Sequence, residues 1–198
     1  MSLSSEHIGL YFGSFNPIHN GHLAIAGFLL ANTDLDEVWF VVSPQSPFKS
    51  ESSLLDDDHR YKMVQLAIKK NIRLKACNIE FSLPKPSYTI NTLRALEEKY
   101  PDKKFALIMG SDNLDNFDKW KDYKDIIDHH RIWVYPRHGS DVGKFKNHPS
   151  VRLINAPLLD ISSTNIRKLI HEGKDVSRMV PKNVLTHINK MNFYRANV

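Results

Sequence analysis

The chain has 198 residues, of which 41% are hydrophobic and 25% charged, and its formal net charge is +5. This composition is that of a globular protein with a sizeable core, and it excludes fibrous and disordered classes. The small positive surplus is compatible with anionic ligands and does not by itself indicate a nucleic-acid surface. Cys77 is the only cysteine, which excludes an intramolecular disulfide and a cysteine-ligated zinc cluster and favours a reducing compartment.

The start of the chain bears on the cellular location of the protein. Residues 1–7 are polar and the apolar run that follows is too short for a signal-peptide core or a membrane span. We therefore expect a cytoplasmic protein without membrane contact, folded as one domain over residues 1–198.

Short apolar runs alternate with segments of helical spacing. The runs have the length and continuity of buried parallel strands, and they cover residues 8–12, 38–42, 105–109, 132–135 and 151–154. Helical spacing occupies residues 54–70, 88–100 after a Ser87 cap, and 122–129. The alternation predicts an α/β fold, Rossmann-like and doubly wound, with a mostly parallel sheet. Such sheets bind ligands outside the carboxyl ends of their strands, where the strand order reverses.

The last third of the chain is predicted to be helical. One helix covers residues 164–171 and stops at Gly173, and Pro181 can open another through Met191. Residues 43–53 and 137–149 have the composition of loops, and the first could cover a ligand.

The most informative segment runs from Gly13 to His22, where the first predicted strand passes into a helix. A turn leading into a helix N-terminus offers free N–H groups and a positive dipole end, which suits phosphate. Gly13 and Gly21 allow a ligand to approach the backbone. His19 and His22 are three residues apart, so on a helix their Nε2 donors face the same way. Two alternatives are a simple polar helix cap and a metal site, the latter poor because no third ligand has suitable spacing.

A second polar segment covers residues 161–167, Ile-Ser-Ser-Thr-Asn-Ile-Arg. Its hydroxyls are typical of a helix N-cap. Arg167 lies one turn into that helix, where its charged fork can reach the same space as the N-terminal amides. Capping and phosphate binding are therefore both compatible with this segment.

Together the two segments resemble the nucleotidyltransferases that share the HxGH and ISSTxIR motifs. The resemblance implies a Rossmann-like domain that binds ATP with Mg²⁺ carried by the nucleotide, transfers AMP to a phosphorylated acceptor and releases pyrophosphate. It implies no metal site formed by the protein itself.

Four further segments are similar to the nicotinate-nucleotide adenylyltransferase family, so the resemblance covers nearly the whole chain: residues 43–49, 58–63, 87–93 and 110–114, the last followed by Trp120. Two positions depart from the family pattern. Asn16 stands where members often have Asp, which removes a charge, and Phe48 stands where they often have His, which removes a phosphate contact. The implied substrates are the small molecules ATP and nicotinate mononucleotide, with no nucleic acid, and a homo-oligomer is compatible with the sequence.

The resemblance also implies roles for individual residues. It assigns His22 to the α-phosphate in the transition state, and His19 and Arg167 to the triphosphate. The implied ATP-binding residues are Gly13, Ser14, Phe15, His19, His22, Asp112, Ser163, Thr164 and Arg167. The implied acceptor-binding residues are Lys49, Thr89, Trp120 and Lys121, with the Thr89 N–H receiving the nicotinate carboxylate and the Trp120 ring stacking on the pyridine.

Several residues in these segments equally suit purely structural roles. Asp112 suits a helix cap, Trp120 suits the core, and residues 56–58, three aspartates, suit a solvated helix start better than a Mg²⁺ cluster. The rival acceptors are 4′-phosphopantetheine and nicotinamide mononucleotide. A non-catalytic nucleotide sensor and an RNA-binding domain are rivals from other classes, and the second predicts steeply salt-dependent oligonucleotide binding.

Overall fold

A computed structural model describes residues 5–45, 54–140, 142–157 and 160–195. The strands are β1 (Glu6–Gly13), β2 (Glu37–Val42), β3 (Leu74–Cys77), β4 (Lys103–Gly110), β5 (Ile132–Tyr135) and β6 (Val151–Leu153). The helices are α1 (Asn20–Asn32), α2 (Asp57–Ile68), α3 (Thr89–Lys99), α4 (Ser111–Leu114), α5 (Tyr123–His129), α6 (Ser163–His171) and α7 (Lys182–Met191). Short 3₁₀ turns cover Ile79–Ser82, Phe117–Lys119 and Gly143–Phe145.

The strands form one sheet of order β3-β2-β1-β4-β5-β6, and every pair in it is parallel. The predicted α/β class and parallel sheet are confirmed. The order reverses between β1 and β4, so the crevice for a ligand lies beyond the carboxyl ends of these two strands. The loop that leads to α1 and the helix α4 both begin there.

Alternate residues of the central strands serve two cores, because successive side chains of a strand point to opposite faces. On β2, Phe40 packs on the side of α1, α2, α6 and α7, whereas Trp39 and Val41 pack on the side of α3 and α5. Helices thus cover both faces, which explains why the strands read as continuous apolar runs rather than alternating ones.

Three features differ from the sequence expectations. The edge strand β3 has no counterpart among the predicted strands, because Leu74-Lys75-Ala76-Cys77 contains only two buried positions and a charged residue between them. Ser87 does not cap α3: the N-cap position is Tyr88, and no side chain closes it. The helix predicted over residues 54–70 begins later, at Asp57. Among the described residues, no helix has the length and apolarity needed to cross a bilayer.

Candidate active site

The loop between β1 and α1 places the HxGH histidines beside the crevice. His19 occupies the N-cap position of α1 and His22 the third helical position. A Cβ on Gly21 would lie 3.0 Å from the His19 Nδ1 atom, so a larger residue would force the His19 ring to shift. Phe15 is buried with φ of +46°, a left-handed conformation that costs energy in a residue other than glycine.

The two imidazole rings are stacked, with centroids 3.7 Å apart and an interplanar angle of 22°. The His19 backbone N–H donates to the His22 Nδ1 atom at 3.3 Å. The His22 tautomer with its proton on Nε2 satisfies that bond, and Nε2–H is then a donor. Tyr11 and Phe15 contact the His22 ring edge-on, at 5.7 and 5.1 Å between centroids, and fix its orientation.

His19 is held in the neutral form. Its side chain is 5% exposed, and burial, with a smaller contribution from the charge of Arg137, lowers its pKa to about 4. Its Nδ1 atom has no hydrogen-bond partner among the described residues. A neutral imidazole supplies a hydrogen-bond donor to an anion without adding a fixed charge to the site.

The ISSTxIR segment meets this loop from the other side. Ser162 caps α6 by accepting from the Asn165 N–H at 3.2 Å, so capping is one role of the segment. The Ser163 hydroxyl donates to the Pro17 carbonyl at 2.9 Å, and one Arg167 N–H donates to the Asn16 carbonyl at 2.9 Å. These two bonds bring together residues that are 146 and 151 positions apart in the chain.

The side chain of Asn16 is held by the end of the chain. The Tyr194 hydroxyl, 178 residues away, donates to the Asn16 Oδ1 atom at 2.7 Å. Tyr194 is largely withdrawn from water, which raises the pKa of its hydroxyl. The hydroxyl therefore stays protonated and donating at any ordinary pH.

A cavity of about 290 Å³ opens over the histidines. Asp112 lies on its rim in the first turn of α4, whose N-cap position is Gly110, so Asp112 is not the cap of that helix. The Arg137 Nε atom lies 3.7 Å from the Asp112 carboxylate and its guanidinium lies over the Tyr135 ring. Cationic and hydrogen-bond-donating groups on this cavity suit a polyanion.

An adjoining cavity of about 230 Å³ extends from the same strand ends toward α3. Thr89, Trp120 and Lys121 all line it, so the structure groups these three predicted acceptor residues. The Trp120 ring is partly exposed and contacts Phe117 at 5.4 Å, while the Lys121 ammonium lies 5.0 Å from the centre of the Tyr88 ring. Tyr11 and Tyr135 line both cavities, and their hydroxyls are 3.1 Å apart.

Gly13 and Ser14 line this second cavity rather than the one over the histidines. A Cβ on Gly13 would lie 2.9 Å from the Phe15 ring. Thr164 is exposed at the start of α6, with its hydroxyl 3.5 Å from an Arg167 nitrogen. Lys49 lies outside the described residues.

Arg60 of α2 is fully buried and holds two loops of the site. Its guanidinium donates to the carbonyls of Ser14 at 2.6 Å and Ser43 at 2.9 Å, and its Nε donates to Leu55 at 2.8 Å. Asp57, one of the three consecutive aspartates, is its ion-pair partner. That carboxylate therefore serves the arginine, and within the described ranges no group of three or more His, Cys, Asp or Glu side chains is arranged to hold a metal ion.

Sequence reasoning missed Arg60, Arg137 and the tyrosine pair Tyr11 and Tyr135. Arg60 falls in the segment 58–63 that resembles the family, but sequence reasoning assigned it no role, because arginine is rarely fully buried and nothing local indicates that it turns inward. Arg137 could have been found, since it follows β5 by two residues and the carboxyl ends of the strands were expected to carry the ligand.

Comparisons with known proteins identify the family of the chain. A family model described as Cytidylyltransferase-like matches residues 10–169. A protein from Cytophaga hutchinsonii, named "Probable nicotinate-nucleotide adenylyltransferase", is 50% identical over 94% of this chain and 97% of its own. One of the same name from Christiangramia forsetii is 48% identical over 96% of this chain and 100% of its own.

Solved structures share the fold. The nicotinic acid mononucleotide adenylyltransferase of Plasmodium falciparum in complex with NaAD has a TM-score of 0.79 and 23% identity, over 96% of this chain and 97% of that one. Fold and site thus define a nucleotidyltransferase of the α/β type. The chain belongs to the cytidylyltransferase-like family and, within it, to the nicotinate-nucleotide adenylyltransferases.

Proposed function

We propose that the chain transfers the adenylyl group of ATP to nicotinate mononucleotide, forming nicotinate adenine dinucleotide and pyrophosphate in NAD biosynthesis. A 5′-phosphate oxygen of the mononucleotide attacks the α-phosphorus of ATP in line. The bond from that phosphorus to the oxygen bridging to the β-phosphate breaks, and pyrophosphate leaves with the electron pair. Because the acceptor phosphate is already anionic near neutral pH, the rate enhancement comes mainly from positioning the substrates and stabilising charge in the transition state.

The nucleotide binds in the cavity of about 290 Å³ over the histidines and against the N-terminus of α6 beside it. His22 donates from Nε2 to the α-phosphate as charge develops in the transition state, and the neutral His19 donates to the triphosphate. Arg167, Ser163 and Thr164, together with the N-terminus of α6, bind the β- and γ-phosphates. Asp112 contacts the nucleotide from the rim of that cavity. Gly13 and Ser14 line the adjoining cavity, and with Phe15 their backbone contacts the phosphate transferred between the two substrates.

The residues of the adjoining cavity take the mononucleotide. The Thr89 N–H is the first of α3 and has no acceptor within the helix, so it suits a carboxylate. Trp120 stacks on the pyridine ring, and Lys121 and Lys49 contact the acceptor phosphate. A carboxylate accepts at both oxygens whereas a carboxamide accepts at one and donates from its nitrogen, so this arrangement favours the acid.

Mg²⁺ enters with ATP as part of the substrate. The carboxylates of Asp112 and Asp160 line the cavity over the histidines, but Asp112 is paired with Arg137, and the described residues include no group of three or more side chains arranged to hold a metal ion. The site therefore fits an ion held mainly by phosphate oxygens. Bound in that way, the ion neutralises charge on the phosphates. We further propose one catalytic domain over residues 1–198, small-molecule substrates only, and a cytoplasmic location, which the single buried cysteine supports.

The observation that carries the proposal is the meeting of the HxGH loop and α6 through the Ser163–Pro17 and Arg167–Asn16 hydrogen bonds at the point where the strand order reverses. The test is pyrophosphate release from MgATP with nicotinate mononucleotide, nicotinamide mononucleotide and 4′-phosphopantetheine compared side by side. We expect a strong preference for the nicotinate acceptor. Pyrophosphate release with 4′-phosphopantetheine alone would reject the proposed nicotinate pocket but support adenylyl transfer. No release with any of the three acceptors would favour a non-catalytic nucleotide sensor.

A further inference from the structure

Glu80 is a buried carboxyl group that the proposed transfer reaction does not use. It lies in the 3₁₀ turn between β3 and α3, is 1% exposed, and lines the same cavity of about 230 Å³ as Thr89 and Trp120. Burying a carboxyl group is costly unless its oxygens are satisfied. A role in the acceptor pocket would account for a buried carboxyl group at this position.

Only one of its oxygens has a well-formed partner. The Thr92 hydroxyl donates to Oε1 at 2.7 Å, whereas Oε2 has no hydrogen-bond partner among the described residues. The hydroxyls of Ser43 and Ser87 are near enough to favour the ionised form, but burial outweighs them and raises the pKa of Glu80. Within the described residues, Oε2 thus lacks a hydrogen bond of good geometry, although the hydroxyls of Ser43 and Ser87 lie nearby.

The carboxyl group is also linked to the peptide proposed to bind the acceptor. The Thr92 hydroxyl oxygen lies 3.4 Å from the Tyr88 carbonyl oxygen, and that carbonyl shares a peptide unit with the Thr89 N–H. A single hydroxyl lies between Glu80 and this peptide unit. A negative charge on Glu80 therefore acts on an acceptor carboxylate held at the Thr89 N–H, through a medium from which water is largely excluded.

We propose that Glu80 is a specificity-determining residue of the acceptor pocket, whose carboxyl group sets the choice between an acceptor with a ring carboxylate and one with a ring carboxamide. This rests on the proposed function of the pocket. An ionised Glu80 repels the ring carboxylate and leaves a neutral carboxamide unaffected by that repulsion. A neutral Glu80 carries no charge, which favours the ring carboxylate.

The direction of the pH effect follows from these two forms. As pH rises through the titration of Glu80, the preference for the acid over the amide falls. The other titratable groups around it are the Cys77 thiol of β3, which senses the charge of Glu80, and the groups that line the cavity, Lys119, Lys121, Tyr88, Tyr11 and Tyr135. Groups that titrate equally with both acceptors, including the 5′-phosphate, cancel in the ratio of kcat/KM values.

The test compares the full-length wild type with Glu80→Gln, using nicotinate and nicotinamide mononucleotides with MgATP from pH 6 to pH 9. Gln keeps an acceptor for Thr92, places a neutral NH₂ donor at the second position and cannot ionise. We expect its acid-to-amide ratio of kcat/KM to be flat with pH and to exceed that of the wild type by about tenfold at pH 9. This is the effect of one charge within about 10 Å at an effective dielectric constant of about 20. KM for ATP should not change.

Glu98→Gln is the matched control, because it removes a carboxylate from an exposed position of α3 and should leave the ratio at the wild-type value. Equal ratios for Glu80→Gln and wild type at every pH would overturn the proposal, as would a change in KM for ATP equal to that for both acceptors. If Glu80→Gln does not fold, the wild-type profile decides: a falling ratio supports the assignment and a flat one overturns it. A wild type inactive with both acceptors would instead reject the proposed function.

Discussion

The His22 ring is held on three sides, by the His19 ring and by the edges of Tyr11 and Phe15. A donor fixed in this way before the substrate binds costs no reorganisation during the reaction. We expect His22→Ala to lower kcat by roughly 10²- to 10³-fold, the scale for losing one well-placed transition-state donor. Steady-state pyrophosphate release measures the change. His171→Ala, an exposed histidine of α6, should keep the wild-type kcat, and a His22→Ala variant with unaltered kcat would remove His22 from the mechanism.

Trp120 offers a partly exposed ring to the acceptor cavity. Stacking of a heteroaromatic ring on an aromatic side chain contributes about 1–3 kcal/mol, so Trp120→Ala should raise KM for nicotinate mononucleotide roughly 5- to 150-fold. KM for ATP should change much less, and Trp120→Phe should recover part of the loss. Saturation curves for both substrates measure the two constants, and a larger effect on ATP would place the ring on the nucleotide side.

At the scale of elements, α2 contributes one residue that anchors two loops. Arg60→Met would keep much of the side-chain volume and leave the carbonyls of Ser14, Ser43 and Leu55 without their donor. Breaking a buried network of this kind costs about 3–5 kcal/mol, and we expect a loss of that size in the free energy of unfolding measured with urea.

Arg94→Met provides the matched control for this change. Arg94 is an exposed arginine of α3 that pairs with Asp125, and losing such a surface pair should cost within about 1 kcal/mol. Similar losses in the two variants would show that Arg60 does not anchor the loops.

The sequence predicts elements well where a run is long and buried, and poorly at the edges. The central parts of β1, β2, β4 and β5 are nearly continuous apolar runs because both faces of the sheet are covered, so their composition alone indicates them. β3 is an edge strand of four residues of which only Leu74 and Cys77 are buried, which leaves little pattern to find. The start of α3 was misassigned because a serine near a helix start need not be the residue that caps it.

At the scale of the whole molecule, His19 makes stability depend on pH. Its folded-state pKa of about 4 lies below the usual 6.5, so the unfolded chain binds a proton that the folded protein does not. The contribution of the neutral His19 side chain to the free energy of unfolding is fully present above pH 6.5. It falls by about 3 kcal/mol as pH decreases toward 4. Urea unfolding between about pH 7.5 and pH 4.5 should show this loss in the wild type and a smaller one in His19→Gln, and equal slopes would contradict it.

The candidate site was predictable where adjacent residues form a motif and not where distant residues meet. The HxGH and ISSTxIR segments each suggest phosphate binding from their own residues. The contacts that join them depend on the packing of α6 and α7 against the sheet, and no local pattern near Arg60 or Glu80 indicates that these charged residues turn inward. The inward orientation of Arg60 and Glu80 therefore depends on tertiary packing and not on local propensity.

The hydrogen bond from Tyr194 to Asn16 has a consequence for how the protein is made. Asn16 emerges early from the ribosome, but its partner is added 178 residues later. At about 5–20 residues per second, the loop waits on the order of 10 seconds or more for that contact. The contact that holds the Asn16 side chain therefore forms only after translation has passed all six described strands β1–β6.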